Sequence, residues 1–116
     1  MVVVRGFTVT ASGPEEVEIG EAVDIVCSHD SRYSDSVKAV DWYKGIGRGN
    51  EEKIAVSKDG KYSTSSRTDD GVTRHTLHID GVSTDDAKEY KCVVIYVKNG
   101  DYRDPNDGFK LKVLGK

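Results

Sequence analysis

Apolar and polar positions alternate along this chain with a period of two. Gly, Asn and Asp interrupt the alternation at intervals of roughly eight to twelve residues, and no window sustains the i, i+3, i+4, i+7 repeat of an amphipathic helix. An all-β chain follows. Val23, Ile25 and Cys27 alternate with Asp24 and Val26, which predicts a half-buried strand ending at the cysteine. Val40 and Trp42 share one face of a second strand, from Val37 to Lys44, with Asp41 and Tyr43 on the other. Lys53-Ile54-Ala55-Val56 reads as a short strand, and Asp59-Gly60 as a tight turn into a polar strand from Lys61 to Ser66. Asp69-Asp70-Gly71 turns the chain into Val72 to Ile79, with Leu77 and Ile79 inward and Arg74, Thr76 and His78 outward. Glu89 to Val97 is the longest predicted strand, closed by Asn99-Gly100, and Phe109, Leu111 and Val113 line one face of the last. Only Thr84-Asp85-Asp86-Ala87-Lys88 allows a single helical turn, with Thr84 as its cap. Eight or nine short strands of this kind suit a two-sheet sandwich or a barrel.

Length and charge narrow the field. The 116 residues make one domain, 1–116, whose core is small enough for a covalent staple to matter. The longest apolar stretch, Val93-Val94-Ile95-Tyr96-Val97, is far short of the roughly 18 residues of a membrane span. Met1 to Gly6 lacks the basic region and cleavage site of a signal peptide. The formal charge of -3, with both signs interspersed, offers no basic stripe for nucleic acid.

Candidate chemistry is sparse. Cys27-Ser28-His29-Asp30 places a histidine and a carboxylate beside a cysteine, but a structural zinc site wants four ligands at short paired spacings. His29 is expected in a loop, and His75 and His78 on opposite faces of one strand, all at solvent or edge positions. Gly45-Ile46-Gly47-Arg48-Gly49 has the glycines of a phosphate loop, yet a strand rather than a helix follows it, which makes it a hairpin loop. The acidic run from Asp101 to Gly108 lacks the spacing and closing glutamate of a calcium loop. No serine sits in a nucleophile elbow, and no carboxylates pair for acid–base work. The chain is expected to be a non-enzyme without cofactor or metal.

Two cysteines, Cys27 and Cys92, flank Trp42, each on the inward register of its strand, an order that marks immunoglobulin domains. Asp86-Ala87-Lys88-Glu89-Tyr90-Lys91-Cys92 matches the D-x-(A/G)-x-Y-x-C motif of that superfamily at Asp86, Tyr90 and Cys92, departing at Lys88. Gly20 to Cys27, Trp42-Tyr43-Lys44 and Leu77 to Val82 match further strands. From Phe7 to Leu114 the chain thus resembles the immunoglobulin superfamily. The resemblance implies a two-sheet Greek-key sandwich, a Cys27–Cys92 inter-sheet disulfide, and Trp42, Leu77 and Tyr90 in the core, with Tyr90 as the tyrosine-corner residue. Gly60-Lys61-Tyr62-Ser63 resembles the variable-type Gly-Arg-Phe-Ser, so Lys61 is expected to ion-pair with Asp86. The short interval from Val56 to Tyr62 leaves little or no C″ strand, and Asp107-Gly108-Phe109-Lys110-Leu111 lacks the F-G-x-G bulge of rearranged antigen receptors. A V-set-like domain, or one between V-set and I-set, of a non-rearranging immune-type receptor or adhesion protein fits these departures.

Register from Cys92 turns Lys91, Val93, Ile95 and Val97 outward, three of them β-branched and apolar on a face that ought to be wet. With Tyr43 beside them they form a candidate interface on the GFCC′ face, which variable-type domains often use for pairing. The resemblance also makes His29 to Ser36 and Asn99 to Asp107 the equivalents of complementarity loops, carrying Arg32, Tyr33, Tyr102 and Arg103. The implied function is protein recognition by an extracellular protein, secreted or on the cell surface, in immune-type recognition or adhesion, with a protein ligand or a homodimer as partner. The alternative is an intracellular I-set domain of a muscle-type filament protein. Two free thiols in the native protein would favour that alternative, because disulfides mark oxidising compartments. The chain has no Asn-x-Ser/Thr sequon, which slightly weakens the extracellular case.

Overall fold

The computed structural model describes residues 8–45, 51–58 and 60–115, the Ser34 side chain excepted. Its strands are β1 (Thr10–Ser12), β2 (Glu16–Glu18), β3 (Val23–Asp30), β4 (Val37–Lys44), β5 (Glu52–Lys53), β6 (Tyr62–Asp69), β7 (Val72–Ile79), β8 (Glu89–Lys98), β9 (Asp101–Arg103), β10 (Asn106–Lys110) and β11 (Lys112–Leu114). One sheet has the order β1-β3-β7-β6 and the other β10-β8-β4-β5, with β9 also on β8. β11 runs parallel to β2, and the remaining pairs are antiparallel. Each sheet has an apolar inner face, and the only place to bury both is against each other.

The Cys27–Cys92 disulfide joins β3 to β8 and therefore one sheet to the other. Trp42 on β4 lies directly opposite Cys92 on β8, 3% exposed, so its indole fills the space beside the bridge. Ile25, Leu77, Ile79, Tyr90 and Val94 are fully buried around it. Two hairpins are closed by two-residue turns with both residues at positive φ, Asp70-Gly71 between β6 and β7 and Asn99-Gly100 between β8 and β9. That is the turn whose twist matches a right-handed ribbon, and Asp, Asn and Gly tolerate it.

Several elements differ from the expectations. β3 does not end at Cys27 but continues to Asp30, because Ser28, His29 and Asp30 keep their register with Arg74, Thr73 and Val72. β5 is only Glu52–Lys53: Ile54 still donates to the Trp42 carbonyl and is buried, but Ala55 and Val56 peel away exposed. β6 starts at Tyr62 and runs to Asp69, held throughout by β7. The last strand breaks at buried Leu111, whose N–H goes to the Lys88 carbonyl, and the chain then crosses from β8 to β2. The helical turn is a 3-10 turn at Thr84–Asp86 with Ser83, not Thr84, at its N-cap. Ile46 to Gly49 of the glycine-rich turn and Asp59 of the Asp59-Gly60 turn lie outside the described residues. No helix among the described residues is long and apolar enough to cross a membrane.

Candidate recognition face

β8 is the centre of its sheet, with β4 on one side and β10 and β9 on the other. Tyr90, Cys92, Val94 and Tyr96 are buried, while Lys91, Val93, Ile95 and Val97 on the opposite face are half-buried. Across the ladder Val93 faces Asp41, Ile95 faces Ala39 and Val97 faces Tyr102. The row is extended sideways by Ala39 beside Ile95 and by Tyr102 beside Val97, while Val93 lies between Asp41 and Asn106, and Tyr102 projects with 73% of its surface exposed. Charge closes the lower end of the stripe. Lys91 pairs with Glu51 at 2.9 Å and sits 5.4 Å above the Tyr43 ring, and Lys53 pairs with Asp41 at 3.4 Å. The arrangement is an apolar centre with a polar rim, the anatomy of a protein interface.

The loop end is less of a loop than expected. Residues Ser31–Ser36 form 3-10 turns, and Asp101–Arg103 is the strand β9, whose pairing with β8 keeps one register with β10 beyond Pro105. The four residues separate into two groups. Tyr33 is half-buried, its ring edge-on to Tyr96 at 6.2 Å, with the Arg32 guanidinium 5.6 Å from it and paired to Asp30. Tyr102 and Arg103 stand exposed on β9, where Tyr102 belongs to the sheet face rather than to a loop tip.

At the opposite end Tyr90 donates its hydroxyl to the Asp86 carbonyl at 2.7 Å. The Asp86 carboxylate accepts from Lys61 at 2.8 Å and from the Ser83 N–H at 2.7 Å. Burial alone would raise this carboxyl, but the Lys61 hydrogen bond, the Ser83 donors and the Lys61 charge outweigh it and hold it below the usual carboxylate range. The same hydrogen bond raises the Lys61 ammonium. Burial, reinforced by the Asp86 charge, pushes the Tyr90 phenol up.

The histidines correct the sequence reading most. His29 lies in β3 and not in a loop, and His29 and His75 are only 4% and 8% exposed. Their Nε2 atoms meet at 2.8 Å. His29 Nδ1 faces the Asp30 carbonyl at 2.9 Å and must carry a proton, so its Nε2 accepts from His75 Nε2–H, and His75 Nδ1 accepts from the Ser66 hydroxyl at 2.8 Å. The two rings and the Ser66 hydroxyl form one hydrogen-bonded chain. Burial, with the nearby His29, lowers the His75 pKa to about 4. His78 is half-exposed and pairs with Asp24 at 2.6 Å. Among the described residues no three His, Cys, Asp or Glu side chains gather as metal ligands.

An inter-sheet disulfide packed by tryptophan, a tyrosine hydroxyl bonded back to a corner aspartate, and two sheets in this strand order define an immunoglobulin-type sandwich. The model of the immunoglobulin V-set domain matches residues 10–114, and the chain belongs to that family. No curated protein matches it. Domains of this family are protein-interaction modules, typically without enzymatic activity.

Proposed function

We propose that this single domain is a protein-recognition module of a secreted or cell-surface protein, in immune-type recognition or adhesion, and that two copies pair through the outward face of β8 and β4. The observation that carries this reading is the row Val93, Ile95 and Val97, extended sideways by Ala39 and Tyr102 and rimmed by the Lys91–Glu51 and Lys53–Asp41 pairs. A two-fold axis lying in the plane of that face lays each stripe against its copy, so one patch serves both subunits. The family match supports a protein partner, and the disulfide supports an oxidising, extracellular setting. The filament alternative is not favoured, since the match is to the V-set. Ile95→Asp places a charge at the centre of the stripe with its side chain outside the core. It is expected to weaken self-association at least tenfold while leaving the thermal midpoint of the monomer within a few degrees. Unchanged association would overturn the reading.

A further inference from the structure

The chain has six tyrosines, and the structure separates one of them from the rest. Tyr90 and Tyr96 are buried, and Tyr33, Tyr43 and Tyr62 are half-buried. Each of these five is tied to a neighbour: Tyr90 and Tyr62 through Asp86, Tyr43 beneath the Lys91 ammonium, and Tyr33 against Tyr96. Tyr102 is 73% exposed, and among the described residues no donor or acceptor meets its hydroxyl.

Its flanks are distinctive too. Asp101 stands directly before Tyr102 and Asp104 two residues after it, both exposed and neither in an ion pair among the described residues. Asp107, by contrast, is committed to the Ala11 N–H at 2.8 Å. The backbone that carries the phenol can be handed to an enzyme. β9 is three residues long with every side chain exposed, follows the Asn99-Gly100 turn, and pairs with β8 alone among the described strands. An edge segment that buries so little opens locally at low cost.

An open phenol is an acceptor for group transfer, and the carboxylates beside it select the transferase. An enzyme that holds a polyanionic activated donor lines its site with cations, and an acidic acceptor segment is drawn to them. We propose that Tyr102 is a site of O-sulfation, modified by a transferase that uses a nucleotide phosphosulfate as donor. The bond from sulfur to the donor's phosphate oxygen breaks, and a new bond joins sulfur to the Tyr102 phenolic oxygen. The phenolic proton passes to a base of the transferase, and the nucleotide leaves as its bisphosphate. The choice of sulfate rests on the reading of the chain as secreted or on the cell surface, because proteins on the secretory route meet tyrosine sulfation. The product carries a fixed negative charge beside Val97, at the end of the β8 row.

The test incubates the oxidised chain with a protein-tyrosine sulfotransferase and phosphoadenosine phosphosulfate, and maps the product by mass spectrometry of its peptides. One sulfuryl group is expected on the peptide that contains Tyr102 and none on the other five tyrosines. Tyr102→Phe is expected to abolish transfer, and Asp101→Asn combined with Asp104→Asn to slow it about tenfold. All three side chains are exposed, and the amide spectrum verifies that each variant keeps its fold. Ile95→Asp repeats the reaction with the β8 face unpaired, so that a second copy resting on Tyr102 cannot mask it. No transfer to either chain, transfer to another tyrosine, or an unchanged rate without the two carboxylates overturns the proposal. The compartment is read separately, from the thiol state of Cys27 and Cys92 in the native protein, which tells a failure of the extracellular reading from a failure of the acceptor site.

Discussion

Asp86 holds one end of the sandwich with a single carboxylate, 5% exposed, that answers Lys61 from one side and the Ser83 N–H from another. Asp86→Ala strands both donors and is expected to lower stability by about 1–3 kcal/mol in denaturant titrations at pH 7. The carboxyl is depressed in the folded state, so its contribution is full above the ordinary carboxylate pKa and fades as pH falls below about 4. His75 acts over a different window. Its folded pKa of about 4 lies under the unfolded 6.5, so the unfolded chain binds more protons between those values. The stabilisation is whole above pH 6.5 and is lost as pH drops toward 4. About 2 kcal/mol of the stability lost between pH 7 and pH 5 should therefore vanish in His75→Gln, measured as the difference between midpoints at the two pH values. Tyr90, Cys92 and Asp86 were legible in the sequence because they form one local motif. The histidine pair was not, because His29 and His75 meet only through the register of β3 against β7, which no spacing along the chain reveals.

At the scale of elements, legibility followed the contrast between the two faces of each strand. β4 and β7 carry strong alternation and occupy the predicted Val37 to Lys44 and Val72 to Ile79. β6 is Ser- and Thr-rich on both faces, so its far end was hidden, and Ala55-Val56 are apolar without being paired. The outward stripe of β8 was readable from register alone, whereas the contribution of Tyr102 required β9, which folds back on β8 only through the Asn99-Gly100 turn. Asn99 sits at φ 53, a region that a β-branched side chain resists. Asn99→Val is therefore expected to cost about 1–2 kcal/mol. Its amide exchange should quicken at Val97 to Arg103 and stay slow in β3 and β7.

For the molecule as a whole, one covalent bond and one face matter most. The bridge spans a sequence separation of 65, and a loop of that size constrains the unfolded chain by about 4 kcal/mol. Reduction of the bridge should lower the denaturation midpoint accordingly, with the far-ultraviolet spectrum remaining that of a β-sheet if the sandwich survives. The fold and its disulfide were legible because they are spelled by a few widely spaced residues. The central claim is that the apolar row on β8 is a pairing face. Sedimentation velocity of the oxidised chain over a wide concentration series tests it most directly. Pairing through that face requires the mean mass to climb from monomer toward dimer with concentration, and Ile95→Asp to hold it at monomer. A wild-type monomer at every concentration, or an Ile95→Asp chain that dimerises as readily, would contradict it.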